Sequence, residues 1–162
     1  MQDTPSNVSH MLTQRVKLLQ KVALWHEGKV LLIKRADSAY SRPGAWDLPG
    51  GNSEWPAAGT QSQFGLHILD AVREVREEIG LELDPGLFIT AALTYTNTFF
   101  DAPKQIYSVI FGWRIELPAN IDPRSVKLSQ EHSQFAWTTA NEVANYDFGG
   151  EKGEFVREIV LI

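Results

Sequence analysis

The chain has 162 residues, of which 43% are hydrophobic, 10% aromatic and 22% charged, with four histidines and no cysteine. That length and mix fit one compact domain with a core of its own, and the missing cysteines exclude disulfides, thiolate metal sites and a cysteine nucleophile. Fifteen Lys and Arg against 20 Asp and Glu leave a net charge of −5, the wrong sign for broad attraction to nucleic acid or an anionic membrane, while a local basic patch for a small phosphate stays open.

Residues 1–14, MQDTPSNVSHMLTQ, are polar and hold no apolar targeting segment, so they read as a flexible lead-in to a single domain over 15–162. No apolar run approaches the roughly 20 residues that span a bilayer, and a cytoplasmic location is expected. β-Branched and aliphatic residues fill Val16–Trp25 and Lys29–Arg35 around His26-Glu27-Gly28, which predicts a hairpin. A polar loop, Ala36 to Pro43, leads to a short strand at Trp46-Asp47-Leu48 closed by Pro49-Gly50-Gly51; Asn52–Gln63 lacks periodicity and predicts a loop. Within Phe64–Gly80, Ile68, Val72, Val75 and Ile79 recur at the spacing of one helical face, with Gly80 placed to end the helix. Asp84-Pro85-Gly86 predicts a turn, and Leu87–Phe100 and Gln105–Leu117 predict two long antiparallel strands. Phe135-Ala136-Trp137-Thr138 predicts a further strand, Thr139 with Glu142 a capped short helix, and Phe155–Ile162 a terminal helix.

On the first helix, Asp70, Glu74, Glu77 and Glu78 fall, at about 100° per residue, in the sector opposite the apolar stripe. Glu74 has like-charged neighbours three and four residues on, each pair costing about 0.2–0.5 kcal/mol. Glu77 and Glu78 occupy the last turn, where the helix dipole disfavours anions. Arg73 offsets only part of this by pairing with Glu77. Such a face is either a solvated acidic surface partnered by Arg73 and Arg76, or a site for a hard divalent cation that keeps its other positions for water and phosphate.

The flanking segments favour the cation. Leu48-Pro49-Gly50-Gly51 and the run Arg73-Glu74-Val75-Arg76-Glu77-Glu78-Ile79-Gly80-Leu81 resemble the signature of the Nudix hydrolases, whose R-E-U-x-E-E-x-G-U (U aliphatic) is matched at every specified position. Val30–Arg35, Gly44–Gly51, and Glu131-His132 with Trp137-Thr138 are similar to that family's neighbouring segments, so the resemblance covers most of residues 16–148. One departure matters: Arg73 follows Gly51 by 22 positions where the family pattern has 14, so eight residues are inserted. Counted back from Arg73, Gly59 and Gly65 stand where the signature has its glycine and first glutamate. That glutamate is therefore missing, and Glu54 is either a replacement carboxylate or ordinary loop polarity.

The resemblance implies an α/β/α sandwich with a mixed, curved β-sheet and a loop-helix-loop site for metal and diphosphate. It implies Mg²⁺ or Mn²⁺ as cofactor, Glu77 and Glu78 as ligands, Glu74 as a further ligand or the base activating water, the Gly51 carbonyl as another ligand, and Arg73 orienting the glutamates. Glu131, six residues before Trp137, matches a distal catalytic glutamate of some members or is a polar residue at a strand entrance. Arg35 and Arg42 are candidates for phosphate oxygens or plain surface charge, and Tyr40 and Trp55 for contact with a base or sugar. Tyr95, Phe99 and Phe100 suit stacking or sheet packing, and His10, His26, His67 and His132 lack metal-ligand spacing. The implied reaction is metal-dependent hydrolysis of a diphosphate linkage in a small-molecule nucleoside diphosphate derivative, with no nucleic-acid or membrane partner and a homodimer left open. The alternative is a Nudix-fold module that senses nucleotides or binds protein with little turnover. An isoprenoid diphosphate isomerase would ordinarily recruit a cysteine, and there is none.

Overall fold

The computed structural model describes residues 15–162, so the expected lead-in over residues 1–14 lies outside the described residues. Its elements are β1 (Val16–His26), β2 (Lys29–Arg35), β3 (Trp46–Asp47), α1 (Leu66–Ile79), β4 (Leu93–Asp101), β5 (Ile106–Glu116), β6 (His132–Thr139) and α2 (Glu154–Leu161). The sheet runs β3-β2-β1-β5-β4, with β6 antiparallel along β2. Among the described residues only β1 and β5 pair in parallel, which makes the sheet mixed.

Alternation along the strands divides the core in two. Val22, Leu24, Leu31, Ile33, Trp113 and Ile115 face Ala71, Val75 and Ile79 of α1, whereas Ala23, Trp25, Val30, Leu32 and Ile110 face Val156, Ile159 and Val160 of α2. Each buried aliphatic side chain contributes about 1.5–3 kcal/mol, so both helices are held by their apolar stripes. The outcome is the expected α/β/α sandwich. No helix among the described residues is long and apolar enough to cross a membrane.

The predicted β1–β2 hairpin forms, but only Trp25 with Val30 and His26 with Lys29 pair. Nearer the start of β1, that edge is taken by the chain following β3: Val22 N–H donates to the Pro49 carbonyl (2.8 Å), Gln20 N–H to the Gly51 carbonyl (2.9 Å) and Ser53 N–H to the Leu18 carbonyl (2.8 Å). The segment that begins the candidate site is thereby fixed to the central strand.

Two predicted boundaries shift. The helix begins at Leu66 rather than Phe64, because Gly65 has a left-handed φ of 77°. The strand predicted from Leu87 begins at Leu93, and Pro85–Leu87 and Thr90–Ala92 are 3₁₀ turns. The Asp84 side chain accepts the Gly86 N–H at 2.7 Å, and Phe88 packs into the core with its ring 5.2 Å from Trp113. The apolar residues there anchor a turn, not a ladder. Thr139 and Glu142 form the predicted capping box, although the helix they start is 3₁₀, Ala140–Asn145.

Candidate active site

The glycine turn lies over the last turns of α1. Gly50 has φ 132°, and a Cβ there would collide with the Gln20 carbonyl, so a residue with a side chain does not fit. Its N–H donates to Glu78 Oε2 at 2.8 Å. A Cβ on Gly51 would stand 2.5 Å from the Glu74 carboxylate, so the absence of a side chain lets Glu74 lie against the backbone.

These contacts separate the glutamates that share a helical sector on paper. Glu78 turns inward and is 7% exposed. Burial pushes its carboxyl up to about 7, against the charge of Lys21 and the Gly50 N–H, and Asp47 and Glu74 add to the rise. Glu74 is half-buried, and burial raises its carboxyl despite Arg73. Glu77 stays at the surface. Arg73 lies between them, with Nη2 2.9 Å from Glu74 Oε1 and Nη1 2.9 Å from Glu77 Oε2; Asp70 approaches at 3.5 Å and Glu54 at 3.6 Å.

Beside the turn is a buried ionic cluster around Asp47, whose side chain is fully buried. Lys21 Nζ is 3.0 Å, Arg42 Nη2 2.7 Å and Arg35 Nη1 3.4 Å from its Oδ2, and Leu48 N–H donates to Oδ1 at 2.8 Å. Burial alone would push the Asp47 carboxyl up, but Lys21 and Arg42 together with these hydrogen bonds hold it below the usual carboxylate range. Lys21 also donates to the carbonyls of Leu48 (3.2 Å) and Gly50 (3.1 Å).

Arg42 is thus occupied by Asp47 and by the Phe148 carbonyl at 3.0 Å, and Arg35 donates to the Ser41 carbonyl at 2.7 Å while reaching Asp47 only loosely. Tyr40 and Trp55 project into solvent, 96% and 94% exposed. Glu131 is exposed and is tied through its backbone, its carbonyl accepting the Ala36 N–H at 2.8 Å. Its neighbour His132 is the residue that reaches the site, with Nε2 3.8 Å from Glu78 Oε1. Burial, helped by Lys21 and Arg35, lowers that imidazole to about 4, so near neutral pH the approach is that of an uncharged ring. Lys21, Asp47 and His132 were not singled out by their spacing. The available signal was two opposite charges, Lys21 and Asp47, inside predicted apolar strands.

The donor set fits a hard divalent cation in its chemistry. Glu74, Glu77, Glu78 and the Gly51 carbonyl are all oxygen donors, and Glu74 and Glu78 are carboxylates whose burial is only partly compensated by positive charge. As the side chains stand, no three His, Asp or Glu among the described residues form a metal-holding group. Arg73 is the cation at the centre of the surface carboxylates.

Comparison with known proteins bears on the fold and the family. The NUDIX domain profile matches residues 22–159. The nucleoside triphosphatase NudI of Escherichia coli is 31% identical over 128 residues, which span 75% of this chain and 81% of that protein. Among solved structures, a MutT protein from Methanosarcina mazei superposes with a TM-score of 0.60 at 21% identity, covering 93% of this chain and 94% of that one. A MutT Nudix hydrolase from Burkholderia pseudomallei reaches 0.61 at 20% identity, covering 91% and 99%. Those two likenesses speak for the fold; the profile and the relative go further, and on them the chain belongs to the Nudix hydrolases, enzymes that cleave phosphoric anhydrides.

Proposed function

We propose that this enzyme hydrolyses a diphosphate linkage in a nucleoside diphosphate derivative with the help of Mg²⁺ or Mn²⁺. The observation that carries the reading is the buried Glu78 carboxylate, held by the Gly50 N–H one helical turn beyond a Glu74 that lies against Gly51. A stability-optimised helix has no use for that arrangement. The nucleoside triphosphatase activity in the name of the Escherichia coli relative supports a nucleotide substrate.

Glu77, Glu78 and the Gly51 carbonyl would hold the cation, with Glu74 as a further ligand or as the acceptor of the attacking water's proton. When bound, such an ion neutralises the diphosphate and lowers the pKa of water. Arg73 keeps Glu74 and Glu77 apart and oriented. Water attacks phosphorus, the bridging P–O bond breaks, and the departing phosphate carries away the electron pair. Arg35 has donor capacity left for a phosphate oxygen, while Arg42 is committed to Asp47 and Phe148 and shapes the loop. Tyr40 and Trp55 are open to a base or sugar, and Glu131 is open to solvent beside His132.

A substrate panel of nucleoside triphosphates, nucleotide sugars and dinucleoside polyphosphates, run with Mg²⁺ and with Mn²⁺, tests this. Cleavage dependent on added metal is expected. Tight nucleotide binding with no cleavage at any metal concentration would replace the hydrolytic reading with that of a nucleotide-sensing module.

A further inference from the structure

Lys21 sits in the middle of β1 with 3% of its surface exposed, and a buried ammonium is costly unless its donors are all used. Its three partners lie at the end of β3 and in the glycine turn that follows it: Asp47 Oδ2 at 3.0 Å, the Leu48 carbonyl at 3.2 Å and the Gly50 carbonyl at 3.1 Å. It shares the neutralising of Asp47 with Arg42 at 2.7 Å, and Arg35 lies at 3.4 Å. What Lys21 adds is a hold on two carbonyls. One of them, on Gly50, belongs to the residue whose N–H donates to Glu78 at 2.8 Å. The next residue, Gly51, lies against Glu74. A single side chain on a central strand therefore grips the turn that contacts both half-buried and buried carboxylates of α1.

We infer that Lys21 is a positioning residue, which through the Gly50 carbonyl fixes the glycine turn against Glu78 and Glu74 so that the site binds its divalent cation. The inference rests on the metal-dependent reading above. Outer partners of metal ligands commonly govern affinity by about 10- to 100-fold, and Lys21 is such a partner once removed.

The test uses the full chain with Mn²⁺ alone as the probe, the bound fraction being read by electron paramagnetic resonance. Lys21→Met keeps most of the length of the unbranched side chain and removes its donors, while Asp47 retains both arginines, so the variant is expected to fold. Its Mn²⁺ affinity should fall about 10- to 100-fold, and kcat should drop while substrate KM stays within about two-fold. Lys21→Gln, which keeps one donating amide group, should recover part of both. Wild-type Mn²⁺ affinity in folded Lys21→Met would overturn the role of Lys21 and leave the metal-dependent reading standing. Loss of the fold in both variants would overturn it too, by making Lys21 a residue of stability alone. A wild-type chain that binds no Mn²⁺ would bring down both readings.

Discussion

Glu78 is a carboxylate taken almost out of water and held by one backbone N–H, so its charge works against the fold in the absence of a counter-ion. A Glu77→Gln, Glu78→Gln double variant should therefore fold with unchanged stability or gain about 0.3–1 kcal/mol, since an amide oxygen still accepts from Gly50. Turnover should fall about 100-fold or more. Urea unfolding and a diphosphate-cleavage assay on the same preparation measure the two opposite movements; wild-type turnover in the double variant would contradict the assigned roles. The identity of these glutamates was legible in Arg73–Leu81, but their orientations were not. Helical spacing puts Glu78 on the polar side, and what turns it inward is Gly50, a residue 28 positions away. The commitment of Arg42 to Asp47 was equally hidden, because it depends on how a loop closes and not on any local pattern.

At the scale of the element, the start of α1 explains why the missing signature glutamate cannot simply be put back. Gly65 stands at the signature's own spacing of eight residues before Arg73, but it precedes the first helical residue with a φ of 77°, which suits glycine. Gly65→Glu is expected to lose about 1 kcal/mol with no gain in turnover, although a Cβ there meets only Ile68 Cδ1 at 3.8 Å. A thermal melt and a kcat measurement check it; a variant of higher activity would show that the helix start can rearrange to bring the new carboxylate to the metal. Glu54 on the loop, rather than residue 65, is the carboxylate that approaches Arg73. Periodicity was reliable for α1, whose stripe packs on the core with Val75 and Ile79 buried and Ile68 and Val72 partly so. It failed at Leu87–Ala92, where apolar residues looked like strand but Asp84 and Pro85 set a local turn chemistry that wins over β-propensity.

For the molecule as a whole, the Asp47 cluster ties β1, β2, β3 and the loop at Arg42 into one unit. Its carboxyl is held below its ordinary value, so its stabilisation is complete above about pH 4, the unfolded value, and is lost as pH falls through the lower folded one. Asp47→Asn should cost about 3–5 kcal/mol at neutral pH by stranding buried cations, and its stability should vary less with pH below about 4. Urea midpoints from about pH 3 to pH 7 measure both; a variant with the wild-type acid profile would remove Asp47 from that role. Metal belongs to this scale too. Mg²⁺ or Mn²⁺ at about 100 times its Kd should add about 2.7 kcal/mol, visible as a raised Tm that a chelator reverses. The sandwich itself was readable through the resemblance of Arg73–Leu81 and its flanking segments to the Nudix signature, and the apolar runs of β1 and β2 and the stripe of α1 fit it, whereas the parallel pairing of β1 with β5 was not readable, since no turn between them records it.

The chain has five tryptophans; Trp25 and Trp113 are buried, Trp46 and Trp137 are partly covered, and Trp55 on the inserted loop is 94% exposed. A dissolved collisional quencher such as iodide will therefore extinguish chiefly the light of one indole, and the loop carries an intrinsic optical label that needs no engineering. A ligand that draws this loop towards Arg73 shields the label and restores its emission, so the loop's closure can be followed in real time with the unmodified protein.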